Sequence, residues 1–286
     1  MDDATSSWRG RRALVTGCTG FLGSAVVREL LARGAEVVGL VRDRVADAEF
    51  ARHKLAGRVH VVHGRAEDTF RVHSALAVYE ASGVFHLAAA DPNKPDRATP
   101  LVLEAVRRFD PRVPVVVARP SPAPDVAPVS VAVPVGVARF GELFGGGDRN
   151  AFRVVPATAI GLLTGERGGG TSDGPARDFV PVRDAARACV AVAEALSSDP
   201  RPRVLDATFR SGWVATDREM AAAVREAFAG RPPHLAITDP PANPFGWHPA
   251  VGPAAALAAT IDWYREFVRT RSFGTPLAAP PRRAAA

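Results

Sequence analysis

Ala13-Leu14-Val15-Thr16-Gly17-Cys18-Thr19-Gly20-Phe21-Leu22-Gly23 is the stretch whose reading decides the fold. The short apolar run Ala13–Thr16 predicts a buried strand. From Phe21, the apolar residues Leu22, Val26 and Leu30 recur at a spacing of four. That spacing predicts a helix to Arg33, with Gly34 as its C-cap. Between the two lie three glycines in a seven-residue loop. Glycine lets backbone turn tightly and approach a ligand closely, and the start of a helix offers unpaired N–H groups and a positive dipole end. A strand, a glycine turn and a helix in that order are what a pyrophosphate cradle requires. The plain alternative is a tight turn that holds nothing. Cys18, inside the loop, reads as a small space-filler rather than a reactive thiol.

Working outward, strands are expected at 36–41, 59–63, 83–87 and 113–118. Helices are expected at 68–79, capped by Asp68, and at 101–109. Strands alternating with helices predict an α/β fold, a doubly wound parallel sheet covered on both faces. The pattern then changes. Residues 119–132 carry prolines at 120, 122, 124 and 128 and do not read as helix. A strand over 133–139 follows, then the glycine loop 145–147 and a helix over 151–164. Further helices are expected at 183–197, 216–229 (with Thr216 as N-cap) and 254–270, with a strand at 203–208. Residues 231–253 read as proline-rich loop.

The 286 residues suffice for about two domains of ~150 residues. With 47% hydrophobic and 23% charged residues, an ordinary core is within reach, which excludes a disordered chain or a coiled coil. The net charge of +6 is spread out, with no run of five basic residues, so nucleic acid is not expected as a partner. Cys18 and Cys189 form neither a metal spacing nor a disulfide framework, and a reducing cytoplasm fits them. The start shows no apolar signal core. The longest uncharged stretch, 240–261, holds five prolines, so no membrane segment is expected.

Six segments in order carry a resemblance: TGCTGFLG (16–23), VVGLVRD (37–43), VFHLAAA (84–90), RFGELFGGGDRN (139–150), ARDFVPVRDAARA (176–188) and GWHPAVG…TIDWYREF (246–267). Together they resemble extended short-chain dehydrogenases/reductases, the NAD-dependent epimerase/dehydratase family. They are most similar to its CDP-glucose and GDP-mannose 4,6-dehydratase type. The resemblance implies a Rossmann domain over 12–140, with 176–198 returning to it. It also implies a smaller substrate lobe from 141–175 and 199–272; residues 1–11 read as a flexible lead and 273–286 as a disordered tail. It implies NAD or NADP as cofactor, held by Gly17, Thr19, Gly20, Phe21, Leu22 and Gly23, with Ala88 and Ala89 passing close by. Asp43, 20 residues after Gly23, stands where a ribose-binding acid is expected, and Arg42 is placed for a 2′-phosphate. Arg177 matches an arginine that meets the substrate diphosphate, where a planar fork suits phosphate oxygens. Asn150 and Arg153 belong to the same loop region. The implied substrate is a nucleotide sugar or a related polar small molecule.

One part of the family's pattern is missing. Its redox chemistry uses a Tyr-x-x-x-Lys pair on a helix. This chain has two tyrosines, Tyr79 and Tyr264, and the residues four further on are Gly83 and Val268. Its two lysines, Lys54 and Lys94, are elsewhere. Between Ala118 and Val133 stand 14 residues where the family places a long loop and the catalytic helix. Extended, they span ~46 Å, enough to return beside a ~20 Å strand. The parallel sheet can therefore form with one covering helix absent. The apolar sheet face left bare implies a homodimer or a partner protein docked there.

Other candidates for chemistry are Ser121, near the position of the family's catalytic Ser/Thr, and Glu142, where relatives carry asparagine. A carboxylate raised in pKa by burial can act as a general base. Three readings follow. The first is a dehydratase-like enzyme that binds NAD(P) but runs a non-redox isomerisation, elimination or cyclisation in specialised metabolism. The second is a non-catalytic nucleotide-binding partner subunit. The third is a dehydratase whose tyrosine comes from another chain.

Overall fold

The structure is a computed structural model and describes residues 8–43, 49–52, 54–88, 96–121, 132–165, 174–240 and 242–270. In chain order the elements are β1 (Arg12–Thr16), α1 (Phe21–Ala32), β2 (Glu36–Val41), α2 (Glu49–Arg52), β3 (His60–His63), α3 (Thr69–Tyr79), β4 (Gly83–His86), α4 (Ala98–Phe109), β5 (Val115–Pro120), β6 (Val135–Phe140), β7 (Glu142–Phe144), α5 (Val154–Thr164), β8 (Arg177–Pro181), α6 (Val182–Ser197), β9 (Val204–Phe209), β10 (Trp213–Ala215), α7 (Asp217–Phe228), β11 (Ala236–Ile237) and α8 (Pro253–Thr270).

Seven strands form one sheet in the order β3-β2-β1-β4-β5-β6-β9. All six neighbouring pairs are parallel. A second sheet of four short strands has the order β11-β10-β8-β7. Alternation sorts the side chains of the large sheet. Ala13, Val15, Val37, Phe85, Val116 and Ala138 pack beneath α1 and α6. Leu14, Val38, Val84, Val115 and Val135 pack with Val72 and Leu76 of α3 and Val102 and Val106 of α4. A strand buried on both faces reads as a continuous apolar run, which is why β2 and β6 carry almost no polar residues.

Local signals set the element ends. Asp68 accepts the Arg71 N–H at 2.9 Å, the N-cap expected of it. Gly34 follows α1 with φ +78°, the left-handed conformation that a C-cap glycine supplies. Thr216 and Glu219 form a reciprocal capping box on α7.

The chain folds as two compact units. The first comprises 1–143, 178–213 and 238–250, and the second 144–177, 214–237 and 251–286. The expected lobe of 199–272 differs from this division at two places. Residues Val204–Phe209 form the edge strand of the large sheet, in parallel register with β6. Phe209 is held by the rings of Phe140, Phe245 and Trp247 at centroid distances of 5.4–5.6 Å. That aromatic cluster draws 238–250 into the first unit, and Trp247 donates its indole N–H to the Asp184 carbonyl at 3.1 Å. Within the second unit, α5, α7 and α8 pack on one another. Tyr264 there donates its hydroxyl to the Asp148 carbonyl at 2.6 Å.

Two further expectations are corrected. The lead over 1–11 is not flexible where it is described. Trp8 is fully buried against Phe85, and Arg11 bonds Ser82 and Ser197. Nor is the sheet face at β5 and β6 bare, since Val115, Val117, Val135 and Val137 are all at most 4% exposed. These valines belong to the packed layer of α3 and α4, and toward the strand ends the same face turns polar. There Arg119 pairs with Asp96 at 2.5 Å, and Arg139 makes a bidentate pair with Asp206 at 2.8 Å. Arg119 and Arg139 are opposite each other in register. Two like charges side by side are unfavourable, so each needs its own carboxylate. Among the described residues, that face is thus covered or polar rather than bare. The proline segment over 122–131 and the tail over 273–286 lie outside the described residues.

Candidate functional site

In the large sheet the chain leaves β1 for β2 and β3 on one side, then returns to β4 and β5 on the other. Ligands of open parallel sheets bind at such a reversal, beyond the carboxyl ends of the strands. The Gly17–Gly23 loop sits there, joining β1 to α1.

Its geometry depends on glycine. Gly17 has φ +69°, and a Cβ on it would lie 2.6 Å from the Ala88 nitrogen and the Leu87 carbonyl. A Cβ on Gly23 would lie 2.0 Å from the Gly17 carbonyl oxygen. Gly20 donates its N–H to that same oxygen at 2.9 Å, closing the turn. Gly20 also occupies the N-cap of α1, and no side chain caps the helix. The amides of the first turn, at Phe21, Leu22 and Gly23, are thus left for a ligand's oxygens. Thr19 lies within the turn, and Ala88 backbone lies against Gly17 as expected. Ala89 lies outside the described residues, as does Lys94.

Cys18 is buried. Its thiol points at the Leu40 carbonyl at 3.6 Å and touches the space over Gly39. Burial pushes the thiols of Cys18 and Cys189 up to about 12, so neither supplies thiolate at neutral pH. Native protein is expected to resist alkylation at both, with two adducts forming after denaturation. An adduct on the native chain, read by intact mass, would contradict that packing.

Beneath the loop, Thr16 and His86 are paired in register and their side chains meet at 2.6 Å. Burial lowers the His86 pKa to about 4. The folded chain thus keeps this ring neutral, while the unfolded chain protonates it near 6.5. Between those values the unfolded state holds more protons, so stability falls as pH drops from about 6.5 to 4, by roughly 2–3 kcal/mol. His86→Asn is expected to flatten that slope in urea unfolding at pH 7 and pH 5. An unchanged slope would mean that His86 does not carry it.

Ser121 and Glu142 come from neighbouring strand ends. Pro120 pairs with Phe140, and the Ser121 N–H donates to the Phe140 carbonyl at 2.6 Å. Glu142 opens β7 two residues later. Both lie at the carboxyl edge that also carries the glycine loop, with β5 two strands from β1, about 10 Å away. Arg42 and Asp43 follow β2 and pair with each other at 2.6 Å.

The remaining candidates lie in the second unit. Asn150 accepts from the Phe152 N–H and donates its own backbone N–H to the buried Asp148. Arg153 reaches Asp148 at 3.2 Å, and Arg177 pairs with Asp217. The two tyrosines are also occupied: Tyr264 is buried with its hydroxyl bonded, and Tyr79 packs against His60, tilted, with ring centroids 4.9 Å apart.

Sequence reasoning missed the Arg119–Asp96–Thr99 and Arg139–Asp206 groups. A signal existed, because Val-Ala-Arg occurs in both VVVARP and VGVARF, each an otherwise uncharged strand.

A parallel sheet reversing at a glycine loop that precedes an uncapped helix defines a Rossmann-type α/β fold. Residues 13–103 of the chain match the NAD dependent epimerase/dehydratase family. A curated dTDP-4-dehydro-6-deoxy-D-allose reductase from Streptomyces sp is 41% identical over 88 residues, 30% of this chain and 27% of that protein. The matched stretch thus spans about a quarter of that relative. The UDP-glucose 4-epimerase of Thermotoga maritima, solved with UDP-glucose, superposes at a TM-score of 0.69 with 20% identity. That match covers 90% of this chain and 99% of the other. The Thermus thermophilus UDP-glucose 4-epimerase, solved with NAD, is 26% identical at a TM-score of 0.64, over 89% and 99% of the two chains. Among the described residues no helix is long and apolar enough to cross a membrane.

Proposed function

We propose that this protein binds a nicotinamide dinucleotide in the Gly17–Gly23 cradle and acts on a nucleotide sugar or similar polar metabolite without the family's Tyr/Lys hydride chemistry. One observation carries the reading: the cradle keeps every close backbone contact that demands glycine, while no tyrosine in the sequence stands four residues before a lysine. The amides of Phe21, Leu22 and Gly23 would hold the pyrophosphate. The dinucleotide, when bound, supplies a hydride acceptor or donor. Without a phenol–ammonium couple, the sugar hydroxyl has no partner to take its proton as hydride leaves.

The chain's own candidates suit a non-redox step. In an elimination, the Glu142 carboxylate takes a proton from carbon, the carbon–carbon double bond forms, and the leaving group departs from the neighbouring carbon with its electron pair. Ser121 would orient the substrate by hydrogen bonding. Asn150, Arg153 and Arg177 are the proposed diphosphate contacts.

A second reading, a non-catalytic nucleotide-binding subunit, is favoured by the bonds those last three residues already make with Asp148 and Asp217 or within their own loop.

The test incubates the purified chain and NAD(P) with a panel of nucleotide hexoses in D2O, followed by NMR and by absorbance at 340 nm. The enzyme reading expects deuterium uptake or a new sugar product with no reduced nicotinamide, and loss of that turnover in Glu142→Gln. A keto-sugar appearing together with reduced nicotinamide would overturn it. No turnover with retained dinucleotide binding would leave the second reading.

A further inference from the structure

We infer that Asp217 is a built-in competitor for the anion site at Arg177, and that a ligand's diphosphate binds there by displacing its carboxylate. The inference rests on the proposed diphosphate contacts and deepens them. Arg177 opens β8 and Asp217 opens α7, both within the second unit, and the two form an ion pair. The Asp217 side chain is 22% exposed and that of Arg177 42%, so the pair lies within reach of a solute. The place of Asp217 on its helix explains why the pair can give way. In the first turn of α7, the helix N–H groups and the positive end of the dipole stabilise a carboxylate whether or not a guanidinium stands beside it. Nor does the turn itself depend on the pair. Thr216 and Glu219 hold it through reciprocal bonds of 2.8 and 3.2 Å. Asp217 can therefore lose Arg177 while α7 keeps its first turn.

The pair between Arg153 and Asp148, in the same unit, is built differently. Asp148 is 3% exposed. One of its carboxylate oxygens accepts the Asn150 backbone N–H at 3.1 Å, and the other accepts from the Arg153 guanidinium at 3.2 Å. Its own carbonyl accepts the Tyr264 hydroxyl at 2.6 Å. Separating so deeply buried a carboxylate from its counter-charge carries a large penalty. Arg153 thus stays on Asp148, and Arg177 is the guanidinium that changes partners. Charge decides what it changes to. The exchange brings the incoming anion close to Asp217, whose own charge repels it. A singly charged ligand offers Arg177 no more than the carboxylate it replaces. A diphosphate carries more than one charge, spread over oxygens that match the planar fork, and so displaces it.

The experiment titrates the full chain with UDP and with UMP by calorimetry, with NADH present to fill the cradle. UDP is expected to bind at least about tenfold tighter than UMP. Asp217→Asn, and likewise Asp217→Ala, should tighten UDP a further fivefold or so at low salt. That gain shrinks as salt is added, because the pair is partly exposed. Arg177→Gln should weaken UDP, and adding Asp217→Asn to it should bring no gain, since no guanidinium is left to release. Melting temperatures check that each variant is folded. UDP bound no tighter by either Asp217 variant overturns the inference while leaving Arg177 as a diphosphate contact, as does UMP bound as tightly as UDP. A gain that persists without Arg177 also overturns it, because that is repulsion through space rather than competition. UDP binding untouched by Arg177→Gln overturns the contact assigned to Arg177, and no UDP binding by any of these chains overturns the nucleotide-sugar reading itself.

Discussion

Gly23→Ala is expected to abolish dinucleotide binding. The new Cβ would stand 2.0 Å from the Gly17 carbonyl oxygen, and the obstacle is backbone, which cannot swing aside as a side chain can. The loop or the first turn of α1 must move. Either movement carries the amides of Phe21, Leu22 and Gly23 away from where a pyrophosphate would sit. Each hydrogen bond to a charged oxygen is worth about 1.5–3 kcal/mol. Losing two of them weakens binding by more than about a hundredfold. Gly57→Ala is the matched control, because nothing lies within 4 Å of its added Cβ. Calorimetric titration of both variants decides the matter. Binding retained in Gly23→Ala would mean that the loop is a turn and not a cradle.

Trp8→Ala is the largest expected loss of stability. The ring is fully buried, faces Phe85 at 5.5 Å, and carries the Arg11 guanidinium 4.6 Å from its centroid. It also fills the space over Gly83, where a Cβ would come within 2.7 Å. Removing so large a buried ring costs about 3–5 kcal/mol. Urea unfolding measures this directly. A loss below about 1 kcal/mol would show that the residues before β1 are peripheral to the core.

Much of this architecture was legible in the sequence because its signals are local. β2 was read with both ends correct, since Glu36–Val41 is an apolar run between Gly34 and a charged pair. Asp68 and Thr216 announced their helices by capping chemistry that acts within one turn. The glycine cradle was legible for the same reason. The short strands β7, β10 and β11, of two or three residues, were not, because alternation has no room to show itself. Trp8 was missed because its partners, Phe85 and Gly83, are more than seventy residues away. The transfer of Val204–Phe209 to the large sheet was missed similarly, since only pairing with β6 places it there. Arginine within VVVARP and VGVARF was visible, but its meaning depended on Asp96 and Asp206 arriving from elsewhere in the chain.

The consequence for function is a division between what backbone holds and what side chains perform. The cradle is backbone, fixed by β1, α1 and the strand order, and it survives without any particular polar side chain. A proton relay needs a particular phenol and a particular ammonium at one spacing, and the sequence does not contain that pair.

Thermal unfolding of the purified chain with saturating NADPH or NADH tests the central claim most directly. A ligand held by the folded chain alone at a hundred times its dissociation constant adds about 2.7 kcal/mol of stability, so the account predicts a clear rise in melting temperature. An unchanged melting temperature with both dinucleotides would contradict it.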